Sequence, residues 1–206
     1  TVPMTGRMIH DLNGETHLQP YGQKKDELIY SVSRAQLNMD LLTLAEETGR
    51  VKIHFDHKLE SADLDKNELT FGEKIIQFNI VIGCDGSASP LRKAIIEKSK
   101  ADYVKKPLGH GYKELVIPPS KSGEFLLEPN ALHIWPRGEF MLIALPNFDR
   151  TFTCTLFFPM IGPSSFETVK NENDIDDLFQ KYFPDAFELM PTLVNDYQNN
   201  PTGNLA

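Results

Sequence analysis

The sequence predicts an α+β protein: a mostly antiparallel sheet with helices on one face, joined to a strand, turn and helix segment of a different character. Three observations carry this. Past Lys98, short apolar runs are separated by Pro, Gly, Asn and Asp turns, the pattern of consecutive hairpins in an antiparallel sheet. The run Ile80-Val81-Ile82 leads through Gly83-Cys84-Asp85-Gly86 to Ser89-Pro90-Leu91-Arg92. An unbroken apolar run reads as a strand buried on both faces, and Ser followed by Pro as a helix start. Helical spacing appears after Ser33 and again from Asp174 to about Asn195.

In chain order, residues 7–12 alternate, with Met8, His10 and Leu12 on one side and Arg7, Ile9 and Asp11 on the other. This predicts a strand. Asn13-Gly14 predicts a type I′ hairpin turn and a return strand to about Gln19. Leu28–Ser31 is a further short strand. Ser33 with Gln36 three residues on predicts a capping box, and Leu37, Leu41, Leu44 and Ala45 form the apolar face of the helix that Gly49 ends. Val51–Phe55, Lys58–Leu64 and Glu68–Phe71 read as a β-meander, and Ile75–Ile82 as the buried strand before the glycine turn. The hairpin strands are 109–117, 124–127, 132–135, 140–145 and 151–158. Asp174 is the expected cap of a helix to Phe183, and Pro184-Asp185 restarts a second helix. The first residues enter a strand almost directly and the last few carry no closing element, so the chain reads as a piece of a longer one.

Composition narrows the function. The 206 residues are 40% hydrophobic, 10% aromatic and 24% charged, with a net charge of −8, which describes a globular protein and argues against a nucleic-acid surface. No apolar run reaches the roughly 20 residues of a membrane span, and no signal peptide opens the chain. Cys84 and Cys154 both lie in apolar strand contexts and read as buried thiols in a reducing compartment. The expected location is the cytoplasm.

Four constellations bear on chemistry. Arg34 and Arg92 each fall in the first turn of a helix, where a cation opposes the dipole; a shared diphosphate would reverse that penalty, and pairing with neighbouring carboxylates is the alternative. Arg7 and Tyr21 offer a guanidinium fork and a phenol to a carboxylate, or are a solvated Arg beside a half-buried Tyr. Ile143, Leu145 and one of Phe157 and Phe158 share a side of adjacent strands and either wall an aromatic-substrate pocket or are core. His54 and His57 face opposite sides of a strand and do not chelate one metal ion.

Gly83-Cys84-Asp85-Gly86 with Arg92 seven residues after the Asp resembles the fingerprint of the class A flavoprotein aromatic hydroxylases, the group of p-hydroxybenzoate hydroxylase. Within that group, Pro3–His10, Ser31–Arg34, Leu132–Arg137, Phe140–Pro146, Phe152–Phe158 and Lys181–Asp185 are similar to the kynurenine 3-monooxygenase family. The resemblance implies FAD as cofactor, NADPH as cosubstrate, O₂ as oxidant and L-kynurenine, an aromatic amino acid, as substrate. It implies that Arg7 and Tyr21 hold the substrate carboxylate and that Ile143, Leu145 and Phe157 line the ring pocket. Arg34, Asp85, Gly86 and Arg92 would serve FAD and NADPH, with no side chain acting as nucleophile or metal ligand.

The family's Gly-x-Gly-x-x-Gly start and later Gly-Asp motif are missing. On this reading residues 1–72 hold the first part of the substrate domain with one helix of the FAD domain. Residues 73–100 are an inner piece of a Rossmann-like FAD-binding domain, and 101–206 the rest of the substrate domain. The fragment alone is expected to be inactive. Eukaryotic relatives carry a C-terminal membrane anchor, so a membrane-associated parent fits too. Two rival readings are a related hydroxylase acting on another aromatic or quinone-like substrate, and a non-catalytic sheet domain that binds a partner protein.

Overall fold

In chain order the elements are β1 (Val2–Met4), β2 (Gly6–His10), β3 (Thr16–Pro20), β4 (Ile29–Ser31), α1 (Arg34–Glu47), β5 (Ser61–Asp63), β6 (Glu68–Phe71), β7 (Lys74–Gln77), α2 (Pro90–Ser99), β8 (His110–Ile117), β9 (Ala131–Arg137), β10 (Phe140–Pro146), β11 (Phe152–Pro159), α3 (Glu172–Tyr182), α4 (Pro184–Phe187), α5 (Leu193–Asn199) and β12 (Thr202–Asn204). They belong to a computed structural model that describes residues 1–24 and 26–205. The chain divides into two units, Thr1–Asp40 with Pro107–Ala206, and Leu41–Lys106.

The first unit is built on a seven-stranded sheet in the order β12-β8-β11-β10-β9-β2-β3. Every pairing is antiparallel except β2 with β9. Alternation divides the sheet's residues by parity. Leu115, Ile117, Trp135, Leu142, Ala144, Phe152, Cys154, Leu156 and Phe158 point to one face and are fully buried. Ile175, Leu178 and Phe179 of α3, Ala186 of α4, and Leu193 and Tyr197 of α5 cover that face. The predicted antiparallel sheet with helices on one side is therefore present. Lys113 also points inward from β8, and its ammonium donates to the carbonyls of Tyr197 (2.7 Å) and Asn200 (2.9 Å) at the end of α5. A cation there meets the negative end of the helix and satisfies carbonyls that have no intrahelical partner.

The second unit holds the meander β5-β6-β7 and helix α2. Ser89 caps α2 by accepting from the Arg92 backbone N–H, with Pro90 in the first turn. This matches the sequence reading of that helix.

Several expectations give way. Val51–Phe55, 124–127 and Ile80–Ile82 form no strand. A strand is held by its neighbours' hydrogen bonds, and among the described residues none pairs with these segments. Ile80 and Ile82 are 85% and 81% exposed, and Cys84 is exposed as well, leaving Cys154 as the buried thiol. The β2–β3 turn is not type I′, because Gly14 has positive φ and Asn13 does not; Gly14 N–H instead closes on the carbonyl of Asp11. In the capping box of α1, Ser33 accepts from Gln36 N–H, but the Gln36 amide turns to Asp40. Asn171, not Asp174, caps α3, with Asp174 completing a true box from the third helical position. The helix that follows splits at Pro191 into α4 and α5, since proline has no N–H to continue a helix. The tail does close: β12 pairs with the edge of β8.

Candidate functional site

The second face of the large sheet is not covered by α3, α4 or α5, and it is apolar along a diagonal. Register places Arg7 beside Leu132 of β9, Ile134 beside Ile143 of β10, and Ile143 and Leu145 beside Thr155 and Thr153 of β11. Met141 lies beside Phe157. All share the parity opposite to the buried core, and Leu132, Ile134, Ile143, Leu145 and Phe157 are half-buried. With strands about 4.8 Å apart and residues about 3.4 Å apart, Leu145 lies about 10 Å from Arg7, Ile143 about 12 Å and Phe157 about 20 Å, Cα to Cα. Phe157 is therefore the distant member.

Arg7 and Tyr21 meet at the near end. The Arg7 guanidinium lies over the Tyr21 ring, 4.8 Å from its centroid. The Tyr21 hydroxyl is buried and has no hydrogen-bond partner among the described residues. Burial pushes the phenol above its ordinary range, partly offset by the Arg7 charge, so it is a protonated donor at neutral pH. A buried hydroxyl without a partner costs on the order of 1–3 kcal/mol. The same Tyr21 ring carries an exposed guanidinium over its face, so the pair places an unused donor and a cation in one side-chain contact. The Tyr21 backbone is fixed by its N–H bond to Thr5, where the chain leaves β3.

At the far end, Phe157, Met141, Pro136, Phe140, His110 and Leu205 line a cavity of about 330 Å³. Sequence reasoning missed Leu132, Ile134 and Met141 on this face. The signal was present in the equal parity of Leu132, Ile134 and Pro136, but became readable only once the pairing of β9 with β10 was known.

In the second unit, the glycine turn is internally braced. Arg92 donates to the carbonyls of Gly86 and Ser87 and lies 5.6 Å from the centroid of Tyr103. A hydrogen bond from Ser89 holds the Asp85 carboxyl below the usual range. Gly86 needs its positive φ of 80°, which favours glycine. The Arg92 fork is thus spent on the turn. Arg34, at the first position of α1, is exposed. The expected opposite facing of His54 and His57 is not found: residues 54–57 form no strand, and the two rings lie 5.4 Å apart, centroid to centroid. No group of three or more His, Cys, Asp or Glu side chains that could hold a metal ion exists among the described residues. No helix of the described residues is long and apolar enough to cross a membrane.

Beneath the open face, His10 joins β2 to the helical layer. Its Nδ1 lies 2.8 Å from Asp185 Oδ2, its Nε2 lies 2.8 Å from His133 Nδ1, and His133 Nε2 lies 2.9 Å from the Glu128 carbonyl. Trp135 Nε1 donates to both Asp185 oxygens, and the Trp135 ring stacks on His10 at 4.0 Å.

The fold is that of flavin-dependent oxygenases. HpxO of Klebsiella pneumoniae, solved with FAD and uric acid, superposes with a TM-score of 0.66 over 100% of this chain and 52% of its own, at 14% identity. 2-Methyl-3-hydroxypyridine-5-carboxylic acid oxygenase gives 0.66 over 98% of this chain and 51% of its own, at 16% identity. In sequence, the chain is related to kynurenine 3-monooxygenases. That of Dictyostelium discoideum is 44% identical over 99% of this chain and 45% of its own length, and that of Sus scrofa is 44% identical over 97% and 43%. The chain thus spans less than half the length of these relatives. No protein-family profile matches it.

Proposed function

We propose that the chain supplies the substrate sheet of an FAD-dependent monooxygenase that uses NADPH and O₂ to convert L-kynurenine to 3-hydroxykynurenine. The observation that carries this is the identity of about 44% to kynurenine 3-monooxygenases along nearly the whole chain. The geometry of the open face supports it. Kynurenine is an aromatic amino acid, and the face offers a paired guanidinium and phenol at one end and an apolar strip leading away.

In this reading Arg7 takes the carboxylate bidentately and Tyr21 donates a second hydrogen bond to it. Leu145 and Ile143 form the floor under the ring, where they exclude water and fix its plane. Phe157 closes the far side. The roles are binding, orientation and desolvation.

Taken separately, each of the two units carries residues suited to a flavin nucleotide. Arg34 is an exposed cation at a helix N-terminal turn, suited to a diphosphate, and Asp85 and Gly86 shape a turn that a nucleotide can approach. Arg92 fits less directly, since its donors hold that turn closed, so its service to FAD and NADPH would be to set the turn's shape. When bound, the flavin takes electrons from NADPH and activates O₂. The free thiols of Cys84 and Cys154 favour a reducing compartment, and cytoplasmic placement is part of the same reading.

The test is kynurenine-dependent NADPH oxidation by the intact protein with detection of 3-hydroxykynurenine. Stimulation is expected; oxidation indifferent to kynurenine would reject the substrate, leaving another aromatic acceptor.

A further inference from the structure

The chain Glu128–His133–His10–Asp185 lies on the buried side of the sheet, and none of its members has a place in the proposed chemistry. His10 is 4% exposed and His133 is 2% exposed, while Asp185 is half-buried. Hydrogen-bond polarity fixes where the protons lie. A backbone carbonyl only accepts, so His133 Nε2 carries a proton toward Glu128. The Asp185 oxygens accept from Trp135 at 3.0 and 2.8 Å, the pattern of an ionised carboxylate, so His10 Nδ1 also carries a proton. One more proton must lie between His10 Nε2 and His133 Nδ1. The two rings together therefore hold one positive charge.

That charge belongs on the ring that touches the carboxylate. His10 contacts Asp185 directly at 2.8 Å and lies face to face with Trp135, an arrangement that favours a cation. His133 has no direct contact with the carboxylate, and its ring stacks on Trp135 at the longer centroid distance of 5.9 Å. Burial pushes its pKa down to about 4, which agrees with a neutral ring accepting from His10. The other charged groups around the cluster are Arg137, Asp11 and Glu128. Arg137 Nη1 donates to the His10 carbonyl and Nε to the Tyr182 carbonyl, and both Asp185 and Asp11 act on its charge. Glu128 acts on His133.

We propose that His10 is a doubly protonated imidazolium clasped between Asp185 and His133, and that this clasp sets the position of β2 and hence of Arg7. β2 is the sheet's single parallel partner, and Arg7 and His10 project from it in opposite directions. The clasp ties the inward side of β2 to β9 through His133 and to α4 through Asp185. Arg137 fixes the same strand by its bond to the His10 carbonyl. His10 and Asp185 are positioning residues, acting through Arg7. The second half of the proposal rests on the function proposed above; the first does not.

The experiment uses the intact protein with its histidine rings labelled with ¹⁵N. Near pH 7, His10 should show two protonated ring nitrogens and His133 one, at Nε2. Asp185→Asn should convert His10 to a neutral ring. A neutral His10 in the wild type, or one that stays doubly protonated in Asp185→Asn, overturns the assignment. For positioning, Asp185→Asn should raise the KM for kynurenine about tenfold while changing kcat less than about twofold. In an Arg7→Ala background the same substitution should raise KM no further. An unchanged KM, or a full additional effect without Arg7, overturns it, because a general packing defect would not need Arg7. His10→Gln is the second variant, with the same expected KM pattern, should Asp185→Asn fail to fold. Absence of any response to kynurenine in the wild type would reject the proposed function, and the ring nitrogens would still decide the charge.

Discussion

In the proposed function, Arg7 and Tyr21 are the pair that recognises the substrate carboxylate. A hydrogen bond to a charged group is worth about 1.5–3 kcal/mol, so Arg7→Ala is expected to raise the KM for kynurenine by at least about tenfold. Tyr21→Phe removes a second donor to the same carboxylate and should cost about tenfold by the same arithmetic. Steady-state kinetics on the intact protein measures both, and an Arg7→Ala enzyme with ordinary KM would remove that residue from the site. His133 gives a prediction in pH. Its folded-state value of about 4 lies below the ordinary 6.5, so the unfolded chain takes up the proton first. Stability is then unaffected above about pH 6.5 and falls as pH drops toward about 4. Between pH 7 and pH 5 the His133 contribution should fall by about 2 kcal/mol, read as the difference between the wild type and His133→Gln. Denaturant titrations at the two pH values check this, and His133→Gln should lose correspondingly less.

Among the elements, β8 and the end of α5 are tied by the Lys113 side chain. Burial lowers the Lys113 pKa, yet two carbonyls at the end of α5 receive its ammonium. Lys113→Met keeps the apolar stem and leaves those carbonyls without a donor, at a cost of about 1–3 kcal/mol. Thermal or denaturant unfolding would show it, and an unchanged midpoint would mean that water replaces the amine. Helix α1 shows the opposite condition. Its Leu37, Leu41 and Leu44 stripe is legible in the sequence, yet all three are exposed. Periodicity thus located the helix and its capping serine, while the same pattern said nothing about what the stripe meets. The run at Ile80–Ile82 failed for a related reason: an apolar run states that a segment is suited to burial, and a strand exists only where a neighbour pairs with it.

For the whole molecule, exposed Ile80 and Ile82 and the exposed face of α1 lead to a prediction about the 206-residue chain. Expressed by itself, it should purify without flavin colour and show no kynurenine-dependent NADPH oxidation; a yellow, NADPH-oxidising preparation would contradict this. The sequence by itself determined the chemistry-bearing residue types, the antiparallel hairpins β9–β10 and β10–β11, the helix starts at Ser33 and Ser89, and the family likeness, because caps, turns and alternation are local. Only the tertiary structure decided that β2 joins β9 in parallel, that Tyr21 keeps a buried hydroxyl without a partner among the described residues beside Arg7, and that Arg92 folds back on its own turn. It also brought His10, His133 and Asp185 into one chain of hydrogen bonds. Their spacing of 123 and 175 residues from His10 carries no periodic signal. Such contacts follow from strand order and register, which are fixed by the packing of the whole sheet against its helices.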